Sequence, residues 1–148
     1  MKVEIRGARK EDVDEIIKIG SKLEDALKAS KSSKSHFHEK SEFIEFIKKS
    51  KGNILLVAEE HKQVIGFLYA KILTKDWCMI DNLAVKKNFQ NMGVGNLLLN
   101  KLYSILNKRK ITYIQGLIEI NHKKSRKFWK DRGFKEGKIF VWVDKFLR

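Results

Sequence analysis

The chain has 148 residues, 43% of them hydrophobic, and 32 Lys/Arg against 18 Asp/Glu give it a formal net charge of +14. Those figures suffice for one compact domain spanning 1–148, because no Gly/Ser-rich or Pro-rich linker divides the sequence. No stretch reaches the roughly 20 apolar residues of a membrane span, the chain opens on Lys2 and VEIRGA instead of an apolar signal region, and the lone Cys78 excludes an internal disulfide, so a cytoplasmic protein is expected.

Val3–Ala8 alternates like a strand, and Val13, Ile16, Ile17, Gly20, Leu23 and Leu27 then recur at helical spacing behind the acidic turn Glu11–Asp12. Ser30–His38 is polar and reads as a loop; Phe43, Ile44, Phe46 and Ile47 mark a short second helix. Three strands follow, Ile54–Glu59, Val64–Leu73 and Trp77–Val85, joined by the turns Glu60–Gln63 and Thr74–Asp76 into an antiparallel meander. Cys78, inside the apolar run WCMI, reads as a buried thiol. A helix over Val94–Asn107, a strand over Ile111–Ile120, a helix over His122–Arg132 and a strand over Ile139–Phe146 complete the order. The pattern implies a mixed α/β fold with parallel pairing only around the Val94 helix. The final strand's IFVWV, Ile139–Val143, is apolar throughout and is expected to be buried on both faces, either by the chain's own helices or by a second subunit in a homodimer.

Charge is uneven. Residues 1–60 carry 13 Lys/Arg and 12 Asp/Glu, a net of +1, whereas residues 61–148 carry 19 and 6, a net of +13. Such a field attracts phosphates, and Lys86, Lys87, Lys123, Lys124, Arg126 and Lys127 are its candidate sources. It would also attract nucleic acid, against which stands the lack of a nucleic-acid motif or of aromatics interleaved with the basic runs.

The most informative segment is Ile80–Leu106, where an apolar strand runs through QNMGVG, Gln90–Gly95, into an amphipathic helix. Gly93 and Gly95 let the backbone bend so that several N–H groups converge on an anion at the helix N-terminus. Asn96 and Leu97 follow Gly95 where a Walker loop needs Lys and Ser/Thr, and Leu98 stands where a dinucleotide fingerprint needs its third Gly or Ala. Gln90, Gly93 and Gly95 instead fit the pattern Gln/Arg, two residues, Gly, one residue, Gly/Ala, and SRKFWKDRGF, Ser125–Phe134, follows as a helix ending in Gly-Phe. In both motifs the chain resembles the GNAT superfamily of acyl-CoA-dependent N-acyltransferases, well over Ile80–Phe134 and more loosely at IRGARKEDVDEI.

The resemblance implies a mostly antiparallel sheet of six or seven strands flanked by four helices, splayed at the acyl-CoA site. It implies acetyl-CoA as co-substrate, without metal, and an amine acceptor. It assigns the pyrophosphate to Gln90, Asn91, Met92, Gly93, Val94, Gly95 and Asn96, and the pantetheine arm to Leu83, Ala84 and Val85. The edge of a splayed strand has free N–H and C=O groups that such an arm can pair with, and the Leu83 N–H is placed to polarise the thioester carbonyl. Asn121, Ser125 and Trp129 are further contacts to the cofactor.

For the base that neutralises the amine, Asp81 lies in the strand that carries Leu83, on the same face as Leu83 and Val85 by alternation, with Glu119 and Glu59 as competitors. The proton donor departs from the resemblance. Relatives often have Tyr four residues before the Gly of Gly-Phe; this chain has Trp129, whose indole cannot give its proton to a thiolate. Water or the acceptor's own proton then serves, or the chain is a catalytically silent acyl-CoA-binding module. The resemblance implies that the first two helices and their loop select the acceptor: Glu39, Glu42 and Glu45 at steps of three would draw a cation, and His36, Phe37 and His38 would line its entry, unless they form a solvated face with Glu45 paired to Lys49. A peptide N-terminus, a lysine and a small amine all stay open.

Overall fold

The computed structural model describes residues 1–27, 40–48, 52–141, 143, 145 and 147, with 23–27 described by backbone alone. The expected loop Ser30–His38 and Glu39 lie outside the described residues. In chain order the elements are β1 (Glu4–Gly7), α1 (Val13–Leu27), α2 (Lys40–Lys48), β2 (Ile54–Glu60), β3 (Gln63–Ile72), β4 (Trp77–Val85), α3 (Val94–Lys108), β5 (Tyr113–Gly116) and α4 (Lys123–Lys130).

The strands form one sheet in the order β1-β2-β3-β4-β5, antiparallel up to β4 and parallel between β4 and β5. Short turns impose the antiparallel part. At the β2–β3 turn His61 and Lys62 both take left-handed backbone, φ 47° and 62°, which matches a two-residue hairpin turn to the strand twist. The single parallel pair needs a crossover, and α3 provides it.

Each face of the sheet buries its own cluster. On one, Leu56, Leu68, Ala70, Cys78 and Ile80 pack against Leu98, Leu99, Leu102 and Leu106, the inward stripe of α3. On the other, Val57, Phe67, Tyr69 and Ala84 pack against Val13, Ile16 and Ile19 of α1 and Phe43 of α2. Cys78 is the buried thiol that its apolar neighbours imply, its pKa pushed up to about 11 by burial.

One irregularity positions everything that follows. β3 pairs Tyr69 with Asn82 but Ala70 with Ile80, so Asp81 is an extra residue, a bulge that bends β4. Pairing with β5 ends at Ile80–Gly116, directly before that bulge. Beyond it the two strands part.

Three expectations are corrected. Five strands are present among the described residues instead of six or seven. The strand expected over Ile111–Ile120 is paired only over Tyr113–Gly116, because β4 has turned away, leaving Leu117 and Ile120 exposed. No strand forms over the described residues of Ile139–Phe146. Ile139, Phe140, Val141 and Val143 are 75–86% exposed, so the described helices do not cover these four residues.

Candidate active site

β4 ends where the Lys86 N–H bonds the Ile65 carbonyl at 2.8 Å, and one 3-10 turn (Lys87–Phe89) leads into a tight turn over 90–93. Asn91 and Gly93 are both left-handed, φ 61° and 84°. Gly93 is the N-cap of α3 and has no side chain to accept the first-turn N–H groups, which point outward at the positive end of a 15-residue helix. A Cβ on Gly93 would project into open space. At Gly95 it would come within 3.1 Å of the Phe128 ring, so this glycine lets α4 close over the helix start.

Side chains from α4 brace the turn. The Gln90 amide donates to the Val85 carbonyl at 2.9 Å and accepts from the Lys124 ammonium at 3.5 Å. Arg132 donates a short hydrogen bond to the Asn96 side chain and a second, 2.7 Å, to the Phe128 carbonyl, with its guanidinium 3.5 Å from the centre of the Phe128 ring. Arg132 was not singled out by the sequence. Its only signal is its place directly before Gly133-Phe134.

Of the six cations expected to form the positive field, three are otherwise engaged. Lys86 pairs with Glu15 at 2.7 Å, Arg126 with Glu136 at 2.6 Å and Lys127 with Asp131 at 2.7 Å. The Lys86 hydrogen bond holds the Glu15 carboxyl below its ordinary pKa. Lys87, Lys123 and Lys124 have no ion pair among the described residues, and Arg132 joins them at the turn.

Past the bulge, no strand among the described residues pairs with Asn82–Val85 on the β5 side, where the Val85 carbonyl accepts the Gln90 amide. The Lys86 N–H faces β3 and the Val85 carbonyl faces away from it, so alternation turns the Leu83 N–H and C=O into the gap between β4 and β5, and those of Ala84 toward β3. Glu119 follows the last paired residue of β5 by three positions, half-buried on the other wall, and its carbonyl accepts the His122 N–H at 3.0 Å.

The bulge also reverses a face. Simple alternation puts Asp81 with Leu83 and Val85, but Ile80 and Leu83 both belong to the α3 cluster, which sends Asp81 and Asn82 to the opposite face. There Asp81 lies 3.6 Å from the Lys71 ammonium, which stands 5.7 Å over the Tyr69 ring. Asp81 is exposed, not the buried carboxylate that a desolvated base would be. Burial, Asp81 and Glu42 together push the Tyr69 phenol up to about 12 against the opposing hydrogen bond from Asn53, so it stays protonated. Glu59 is removed from the gap. It pairs with Arg6 at 2.5 Å on β2, two strands away.

At the start of α4, the His122 imidazole caps the helix by accepting the Ser125 N–H at 3.0 Å. Asn121 is exposed, and Ser125 lies half-buried in the first helical turn. Trp129 packs edge-on against Phe128 and Phe134 at 5.2 and 4.9 Å. Among the described residues no group of three or more His, Cys, Asp or Glu is arranged to hold a metal ion.

The sequence profile of the acetyltransferase (GNAT) family matches residues 21–134, and the chain belongs to that family. It is a GNAT-type acetyltransferase, a family that uses acetyl-CoA. Similar solved structures include the PaiA N-acetyltransferase of Thermoplasma acidophilum in complex with coenzyme A, 23% identical over 91% of each chain with a TM-score of 0.80. A transcriptional regulator from Bacillus halodurans C-125 is 20% identical over 97% of this chain and 100% of its own, TM-score 0.80. An aminoglycoside acetyltransferase from an uncultured soil sample, solved with sisomicin, is 14% identical over 99% and 97%, TM-score 0.75. At these identities the likeness is one of fold. No curated protein sequence matches the chain significantly.

Proposed function

We propose that the chain is a single N-acetyltransferase domain that transfers the acetyl group of acetyl-CoA to a primary amine by direct attack in a ternary complex. The observation that carries this reading is the juxtaposition of two sets of backbone groups without a strand or cap partner among the described residues, the first-turn amides of α3 behind Gly93 and the Leu83 N–H and C=O on the open edge of β4. The first suits a pyrophosphate, the second an extended arm bearing amides. The residues present fit the co-substrate: open space over Gly93, the cations Lys87, Lys123, Lys124 and Arg132 around the turn, and the Leu83 N–H three residues past Ile80, where the strands part.

In this reading the acceptor approaches from the α1/α2 face while the diphosphate is held on the α3 side. Asp81 takes one proton from the acceptor ammonium, directly or through water. The neutral nitrogen attacks the thioester carbon, whose oxygen accepts the Leu83 N–H. A C–N bond forms, the C–S bond breaks, and the second nitrogen proton leaves with the thiolate through water, since the Trp129 indole cannot supply one. Glu119, on the opposite wall, is the alternative base. The exposed Ile139–Val143 run supports the second-subunit reading of the C-terminal segment.

The test is thiol release from acetyl-CoA with a panel of amines and peptides. Release that depends on the amine is expected. Binding of acetyl-CoA with no turnover on any amine would instead support the silent module.

A further inference from the structure

The site presents more to the acceptor than a base. Because of the bulge, three polar side chains share the α1/α2 face where β4 and β5 part: Lys71, Asp81 and Asn82. The Lys71–Asp81 pair is loose, at 3.6 Å, and open to solvent, with side-chain exposures of 35% and 28%. The Tyr69 ring supports the ammonium from beneath. Beside it the Asn82 side-chain oxygen is buried with no hydrogen-bond partner among the described residues.

The surroundings decide what such a pair can receive. On α2, Lys40 and Lys48 balance Glu42 and Glu45, and over residues 13–22 of α1, Lys18 and Lys22 balance Asp14 and Glu15. Among these described side chains acids and bases balance, and they belong to a chain of net charge +14. A polycation meets repulsion at long range and the Lys71 ammonium at short range. A lone amine that takes Lys71's place at Asp81 leaves that ammonium unpaired beside a second cation.

An amine that carries its own carboxylate leaves nothing unpaired. Resting on the acetyl-transfer reading above, we propose that the acceptor is an amino acid or short peptide whose ammonium replaces Lys71 at Asp81 and whose carboxylate is taken up by the displaced Lys71. The pair acts as a receptor for a zwitterion: Asp81 takes the proton that the ammonium gives up before its nitrogen attacks, and Lys71 is a specificity residue that touches the acceptor alone.

The experiment compares kcat/KM, by thiol release from acetyl-CoA, for amino acids and dipeptides, for their C-terminal carboxamides, and for spermidine, in the wild type, Lys71→Gln and Lys71→Glu. The free carboxylate is expected to be preferred over the carboxamide by about tenfold, one rim charge pair's worth. That preference is expected to vanish in Lys71→Gln and to invert in Lys71→Glu, with calorimetric affinity for acetyl-CoA unchanged in both as the control for folding. Wild-type preference for the carboxamide or spermidine, or a ratio that Lys71→Glu leaves unmoved, overturns the inference while leaving acetyl transfer intact. Turnover with no member of the panel, acetyl-CoA still binding, overturns acetyl transfer and the inference with it.

Discussion

At the scale of single residues, the site depends on which neighbours hold each charge. Asp12, 7% exposed, accepts from Arg6 at 2.7 and 2.9 Å and from the Arg9 N–H at 2.6 Å, and Arg6 also bonds Glu59, so the triad ties β1 to β2 and to the start of α1. Burial pushes the Asp12 carboxyl up, but the Arg6 hydrogen bond and charge together with the Arg9 amide outweigh it and leave its pKa below the ordinary value. A carboxyl whose pKa is lower folded than unfolded stabilises the fold at every pH above the unfolded value, about 3.9, and that contribution disappears as pH falls through the folded one. Asp12→Asn should therefore cost roughly 2–3 kcal/mol at pH 7, as expected for one partner removed from a largely buried ion pair. In urea melts the gap between variant and wild type should narrow below about pH 4. A gap that stays constant from pH 7 to pH 3 would contradict this account of Asp12. The turn before α3 was legible in the sequence, since a left-handed Gly93 and a Gly95 pressed against the Phe128 ring leave a spacing. Which cations are free near it was not, because Lys86, Arg126 and Lys127 find acids 10 or more residues distant in sequence or on the next helical turn.

At the scale of elements, the order of strands and helices followed from periodicity, and the lengths did not. Helix α3 and the meander β2–β4 are long, strongly patterned segments whose cores sit where their apolar stripes point. β5 is the element that periodicity overextends: its sequence stays apolar to Ile120, while pairing depends on a neighbour that bends away after Ile80. A signal for that bend exists in WCMIDNLAV. Two successive polar residues, Asp81 and Asn82, between the apolar Ile80 and Leu83 keep both apolar ones inward only if an extra residue is inserted. Strict alternation misses it and assigns Asp81 to the wrong face. The same geometry makes Gly66 a positioning residue. A Cβ there would stand 2.9 Å from the Ala84 carbonyl, a backbone atom with little freedom to retreat. Gly66→Ala should cost roughly 1–3 kcal/mol through overpacking. By displacing the β4 segment that presents Leu83 and Val85, it should raise KM for acetyl-CoA more than KM for the amine. Equal effects on both, or none on either, would mean that β3 does not set the edge of β4.

At the scale of the whole molecule, the sheet separates two tasks. The face packed on α3 leads to the amides that suit a diphosphate, the face packed on α1 and α2 is the one proposed to receive the acceptor, and the gap that begins at Ile80–Gly116 joins them. The excess positive charge of residues 61–148 belongs to the same half as the phosphate turn, which is why composition alone already hinted at a phosphate ligand. The acceptor side was the least legible part, because its ion pair is brought together by a bulge and its expected entry residues, His36, Phe37 and His38, lie outside the described residues. Everything rests on the diphosphate anchor at Gly93, and calorimetric titration tests it most directly, comparing acetyl-CoA with S-acetylpantetheine, which has the thioester arm but no diphosphate. Loss of the charge-assisted hydrogen bonds from the α3 amides should weaken binding by on the order of 100-fold. Equal affinity for the two compounds, or no heat with any coenzyme A derivative, would contradict the account.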